Sequence, residues 1–262
     1  MKFHRIKALL IRHLYLYKRS LPRLMDIFYW PIVDLLVWGF FSVYLEKQNL
    51  GGINAVSVLL GALIFWDFLN QSQKAISVAF LEDVWERNLL NIFVTPLRPR
   101  EFLAATVILG FVRILLISIV LGLLAFLFYS FNIFTFGFFL IPLIANLLLF
   151  GWALGLFTTG IILRYGTQAQ ILAFGFIFII QPFSAVFYPV SALPGALQTV
   201  AKLLPTTYVF EGMRKIIAGG GLPLNDMLIS FGLNLVYLAL VIWFFYVMFR
   251  RAKERGLLLK LD

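Results

Sequence analysis

Asp34, Asp67 and Arg113 each sit inside a long apolar run of the sequence. A lone charge near the centre of a bilayer costs on the order of 2.5–3.5 kcal/mol even on a lenient insertion scale, so such residues pair, line a polar path or reach back to water. Asp34 lies about seven residues into its run and Asp67 about six from the end of the next, which gives matching depths at ~1.5 Å per residue. Arg113 lies about ten residues into the third run, and its long side chain reaches back toward that level. The expectation is that at least one aspartate approaches Arg113 and ties the first three runs together. Such a cluster serves first as a packing device and second as the lining of a substrate path. Separate excursions of Asp34 and Asp67 to water are the third option.

Other chemistries have few candidates. The sequence has no cysteine and two histidines, His4 and His13, both near its start. Thiolate nucleophiles, thiolate metal sites and imidazole relays within the apolar runs are excluded, and no metal site is expected. An embedded acid–base enzyme would have only Asp34 and Asp67 to work with. No G-x-x-x-x-G-K-[ST] phosphate loop is present, since Gly219, Gly220 and Gly221 lead into Leu222 and Pro223. The chain is expected to bind no cofactor itself, and any ATP that drives it must sit on another chain.

Two segments between the apolar runs carry patterned residues. From Leu81 onward, Leu81, Val84, Trp85, Leu89 and Ile92 fall on one helical face, with Glu82, Asp83, Glu86 and Arg87 on the rest. This predicts an amphipathic helix over 81–92, ended by Thr95-Pro96, with Pro99 breaking the chain again. A helix that merely lay on anionic lipid would be basic, so its acids point to a protein partner, with Trp85 as the anchor and Glu86 and Arg87 around it. The second segment, 188–226, is punctuated by Tyr188-Pro189, Leu193-Pro194 and Leu204-Pro205. Helices are expected at about 195–204 and 207–218, with Thr206 as the cap of the second, Gly219–Gly221 as its end, and Glu211 paired with Arg214 within it.

These residues are carried by a chain that is 62% hydrophobic and 13% charged, with a mean hydropathy of +0.95. Soluble domains run nearer half apolar and a quarter charged, so this is a polytopic, all-α membrane protein. Six runs, about 27–45, 54–73, 103–129, 137–162, 169–190 and 227–249, reach the roughly 20 residues a helix needs to cross the hydrocarbon core. Basic residues crowd one side of these runs. Lys2, Arg5, Lys7, Arg12, Lys18, Arg19 and Arg23 precede the first, Lys74, Arg87, Arg98 and Arg100 follow the second, and Arg250, Arg251, Lys253, Arg255 and Lys260 follow the last. The positive-inside rule then puts both termini in the cytoplasm. The net charge of +10 is explained by that bias and by anionic lipid, without nucleic acid. Residues 2–20 repeat Phe3, Ile6, Leu10, Leu14 and Tyr17 at helical spacing, with Arg5, Arg12 and Arg19 on another face, which predicts a basic amphipathic helix along the membrane surface.

Several short motifs occur in a telling order. TPLRPREFL runs from Thr95 to Leu103, then come Tyr188-Pro189, Leu193-Pro194, Leu203-Leu204-Pro205, Thr207-Tyr208, Glu211-Gly212 and Arg214. In this order the chain resembles the ABC type-2 transporter permeases, with their TPL.P.E.L run, YP…LP turn and LLP.TY..EG.R segment. The resemblance implies one six-span permease domain over 1–262 in the cell membrane. It implies a second permease copy and separate ATP-binding cassette ATPase subunits that hold ATP and magnesium. It assigns 2–20 as an interface helix, 81–92 as the coupling helix with Thr95, Pro96 and Pro99 setting its angle, and 190–220 as re-entrant outer helices. Tyr188, Pro189, Pro194, Pro205, Tyr208 and Glu211 would then shape the outer gate. The implied cargo is amphipathic, polymeric, lipid-linked or drug-like, and the implied direction is export. A secondary transporter is the alternative, disfavoured because spans 1–3 and 4–6 show no matching charged motif. A membrane-embedded enzyme is the more distant one.

Overall fold

The computed structural model describes residues 2–48, 55–86, 89–221 and 223–254. These are almost wholly helical, with no strand among the described residues. An amphipathic helix α1 (Phe3–Arg19) turns at Ser20, which is extended, into α2 (Leu21–Lys47), whose first turn holds Pro22. Then come α3 (Ala55–Trp85), the short α4 (Leu89–Val94), α5 (Pro99–Tyr129), α6 (Leu140–Tyr165), α7 (Gln170–Ile180), α8 (Gly195–Lys202), α9 (Pro205–Ile217) and α10 (Leu224–Glu254). Four stretches among the described residues are long and apolar enough to cross a membrane: Leu21–Lys47, Arg100–Tyr129, Ile133–Phe183 and Leu224–Glu254. The third holds both α6 and α7, bent at Gly166, whose φ of 63° favours glycine.

Two expected spans look different in three dimensions. The run at 54–73 is only the first part of α3, which continues to Trp85 and measures about 46 Å at 1.5 Å per residue. The run at 169–190 is not one helix. α7 has 11 residues, about 17 Å, roughly half the hydrocarbon thickness. It closes in a short 3-10 turn at Gln181–Phe183 containing Pro182, and irregular backbone follows.

α3 is the central element. From Leu60 to Val84 every side chain except Asn70 is buried, and the helix packs against α2, α5, α6, α7 and α9. Its middle is polar, so its hydrogen bonds must be found on neighbouring helices. Ser72 Oγ donates to the Leu148 carbonyl of α6 at 3.0 Å, and Gln73 Nε2 donates to the Ala173 carbonyl of α7 at 3.1 Å. Gln71 Nε2 reaches the Ile27 carbonyl of α2 at 3.5 Å. The α3–α6 contact is close because α6 presents Gly151 and Gly155, one turn apart, to this belt. A Cβ on Gly151 would lie 2.6 Å from Ser72 Cβ, and one on Gly155 would lie 2.8 Å from the Gln73 carbonyl oxygen. Small residues four apart let helix backbones touch in a membrane. A second polar link joins α6 to α10, where Asn234 Nδ2 donates to both the carbonyl and Oδ1 of Asn146 at 3.0 Å.

The two ends of α3 define the two ends of the bundle. Gly61, near its start, faces Met213 and Ile217 of α9, and Asp83, near its finish, meets Arg12 of α1. Because the obstacle at Gly155 is backbone, Gly155→Ala is expected to cost about 1–3 kcal/mol and Gly155→Leu to prevent assembly of the bundle. Gly232 has nothing within 4 Å of its would-be Cβ, and Gly232→Ala should leave the protein at least as stable as the original. Thermal unfolding of the detergent-solubilised protein checks all three.

Candidate functional site

At the α1 end, α1 lies across the start of α5 and the finish of α3. Its buried side is Ile6, Leu9, His13 and Tyr17. The expected apolar face is therefore rotated, since Phe3 and Leu14 are exposed and Leu9 and His13 take their place. Arg5 and Arg12 hold this seat. Arg5 Nη1 pairs with Glu101 Oε2 at 3.3 Å and donates to the Pro96 carbonyl. Glu101, in the first turn of α5, also accepts from the backbone N–H of Lys2 at 2.7 Å and of Arg98 at 3.1 Å.

The acids that suggested a protein partner are engaged inside the chain. Arg12 Nη2 lies 2.6 Å from Asp83 Oδ1 and 3.4 Å from Glu86 Oε2. Arg23, at the start of α2, pairs with Glu82 at 3.3 Å and with Glu86. This corrects the sequence argument, because the counter-charges are the arginines of α1 and α2. The helix expected over 81–92 is also two pieces. Leu81, Val84 and Trp85 are the last turns of α3, with Leu81 and Val84 buried in the core, and Leu89–Val94 is a separate short helix. Arg87 lies outside the described residues. Trp85 is half exposed, but its ring stacks on Phe174 of α7, 6.4 Å between centroids, and its Nε1 donates to Gln170 Oε1 at 3.2 Å. Thr95 Oγ1 donates to the Ile92 carbonyl where α4 stops, Pro96 supplies the carbonyl held by Arg5, and Pro99 is the first residue of α5.

The three charges within the apolar runs do not meet as expected. Among the described residues no ion pair joins Arg113 to Asp34 or Asp67. Asp34 is exposed on α2 and Asp67 is buried on α3. The cation acting on both is Lys74, one α3 heptad after Asp67, whose Nζ lies 3.2 Å from Asp26 Oδ1. Arg113 is buried with its guanidinium 4.5 Å above the Tyr17 ring. Depth along a helix says nothing of the direction in which a side chain leaves the axis. The spacing of seven between Asp67 and Lys74 was the signal that sequence reasoning passed over.

At the other end, the expected outer helices form as α8 and α9. Pro194 is the N-cap of α8, and Pro205 opens α9. Thr206 does not cap α9, whose N-cap is Leu204, and its hydroxyl instead donates to Ser184 Oγ at 3.0 Å. Glu211 and Arg214 pair at 3.2 Å, but they do more than pair. Arg214 donates to the carbonyls of Ala185 at 2.7 Å and Val186 at 3.1 Å, and Glu211 Oε1 accepts from the Val190 N–H at 2.8 Å. Together they hold the irregular backbone after α7, including Ala185 in the left-handed region at φ 52°. Tyr188 donates to the Pro182 carbonyl, Tyr208 to the Lys202 carbonyl at 2.9 Å, and Pro189 is the N-cap of the turn Val190–Ala192.

Two outcomes follow from this geometry. Arg214→Leu deprives two carbonyls of their donors and should destabilise the protein by about 2–3 kcal/mol, with proteolysis opening first at 184–194. His13 is buried beneath α1 without a hydrogen-bond partner among the described residues, and burial first, then Arg12, Arg113 and Arg23, lower its pKa from 6.5 to about 3. A lowered histidine favours the folded state above pH 6.5 and loses that contribution as pH falls from 6.5 toward 3, where only the unfolded chain takes up the proton. Between pH 7 and pH 5 the loss is about 2 kcal/mol. His13→Leu should flatten that part of the unfolding midpoint's pH dependence.

The family model described as ABC-2 type transporter matches residues 4–218. No curated protein matches.

Proposed function

The chain belongs to the ABC-2 type transporter family, and on that premise we propose that it is the membrane permease of an ATP-driven exporter. The family is one of transport components and not of catalysts. In this reading α2, α3, α5, α6, α7 with the turn after it, and α10 make six crossings, and both termini are cytoplasmic. Two copies and two ATP-binding cassette subunits make the working assembly, with ATP and magnesium on the partner. The cargo is amphipathic, lipid-linked or drug-like, and the membrane is the cell membrane. α1 suits a surface helix because it has two apolar sides. One is buried in the bundle, and the other, Phe3, Leu14 and Tyr15, is left exposed for lipid. The hydrogen-bonded cap of α8, α9 and residues 184–192 would form the outer end of the path.

The observation that carries the coupling role is the position of α4. It is a six-residue helix between two 31-residue helices, α3 and α5, and its exposed end presents Val94. Arg5, held by the Pro96 carbonyl and Glu101, and Arg12, held by Asp83, brace the chain on both sides of α4 against α1. A push on α4 would therefore reach α3 and α5 through their contacts with α1. The coupling surface in this reading is α4 with the turn to Pro99, and Trp85 serves the α3–α7 contact.

Purified permease should show no saturable ATPase activity, and stimulation should appear when a cognate ATP-binding cassette subunit is added. Saturable hydrolysis by the permease alone would overturn the reading. Val94→Asp should lower co-purification of that subunit at least ten-fold, equal to about 1.4 kcal/mol, with the unfolding midpoint unchanged.

A further inference from the structure

Among the described residues Arg113 is a buried cation without a counter-charge. None of its guanidinium nitrogens has a hydrogen bond among the described residues, and Nε and Nη1 are sealed from water, which leaves Nη2 as the end toward open space. That space is a cavity of about 390 Å³ under the elbow between α1 and α2, bounded by Tyr17, Arg23, Asp26, Glu82, Trp85 and Arg113. We propose that this cavity binds the phosphate group of an amphipathic molecule, with Arg113 as its charge partner.

The electrostatics single out Arg113. The acids on the wall already have cations, Asp26 with Lys74 and Glu82 with Arg23, and Glu82 shares that arginine with Glu86. Arg113 has only the face of the Tyr17 ring, 4.5 Å away. A cation–π contact contributes less than an ionic partner supplies to a desolvated guanidinium. The Tyr17 hydroxyl is itself buried without a partner beside it. The missing partner is thus an anion that stays charged in an apolar setting. Burial pushes a carboxylic acid toward its neutral form, whereas a phosphodiester is a far stronger acid and remains ionised. Nη2, the end toward the cavity, carries two N–H donors, and hydrogen bonds from a guanidinium to phosphate oxygens are among the strong ones.

The other walls explain the amphipathic part. Val78, Pro22 and the stacked rings of Trp85 and Phe174 offer an apolar lining next to the charge. The volume lies within the range of small-ligand pockets. The site stands at the elbow between the surface-type helix α1 and the first long apolar helix, where a headgroup would enter with its tail still in lipid. Two sources share this chemistry, a phospholipid of the surrounding bilayer and a phosphate-bearing cargo. The inference rests on the membrane character of the chain and not on ATP coupling, so the two fail separately.

The test uses the full chain in dodecyl maltoside, titrated with dodecyl phosphate, dodecanol or inorganic phosphate while the unfolding midpoint is followed. Dodecyl phosphate should raise the midpoint and dodecanol should not. Arg113→Gln should weaken the dodecyl phosphate response at least ten-fold, and Arg113→Lys should retain part of it. Val78→Phe fills the cavity without touching a charge and should also abolish the response, which covers the case in which Arg113→Gln does not fold. An equal response in wild type and Arg113→Gln, or no response in wild type, overturns the site. A response to inorganic phosphate as strong as to dodecyl phosphate overturns its amphipathic character. Native mass spectrometry of protein released from phosphatidylglycerol nanodiscs then separates the sources. A retained phospholipid that is lost in Arg113→Gln assigns the site to the bilayer, and dodecyl phosphate binding with no retained phospholipid assigns it to cargo.

Discussion

The structure depends on how a helix with a polar middle is buried on every side. α3 carries Gln71, Ser72, Gln73, Lys74 and Ser77 within two turns, and all are buried. An unpaired polar group in such a place costs on the order of 1–3 kcal/mol, and Gln71, Ser72 and Gln73 reach acceptors on three different neighbours. α2, α6 and α7 supply those acceptors from their backbone carbonyls, which constrains rotation and register as apolar contact alone would not. The glycines at 151 and 155 are the condition for this. With any side chain there, α6 would stand off and the Leu148 carbonyl would move out of reach of Ser72.

The α1 end obeys a related rule with charges. Pairs such as Arg12–Asp83, with the carboxylate almost wholly buried, add little net stability but are expensive to break singly. They act as geometric stops. α1, α2, α3 and α5 are tied through Arg5, Arg12, Arg23 and Lys74 to acids on a neighbouring helix, and the short α4 hangs between the two longest members of that set. Among the described residues Arg113 is buried with no acid opposite it.

Periodicity and punctuation made the helices legible in advance. α1, α5, α8, α9 and α10 lie close to where apolar spacing, prolines and the glycines after Ile217 placed them. The coupling segment was misread because the apolar positions from Leu81 to Ile92 stay in phase across a break, so the pattern could not show that its first half belongs to a buried helix. The acids were misassigned for a different reason. Their partners lie 59 to 74 residues away along the chain, and no local pattern reports such a distance. The Glu211–Arg214 spacing revealed the pair but not the carbonyls of Ala185 and Val186 that give the pair its purpose.

The distance along the chain between α3 and α6 bears on how the protein is made. Ser72 and its acceptor Leu148 are 76 residues apart, and Gln73 and Ala173 are 100 apart. At ~5–20 residues per second, a ribosome needs roughly 4–15 s after making Ser72 to deliver Leu148, and longer to deliver Ala173. Throughout that interval Ser72 and Gln73 lack the acceptors that α6 and α7 will supply, which makes α3 a poor solute for lipid. The insertion machinery must therefore shelter α3, or hold it beside α2, until α6 emerges. That wait is the period when the nascent chain is most open to quality-control proteases, and substitutions that slow or weaken α6 would lower yield before they alter any property of the finished protein.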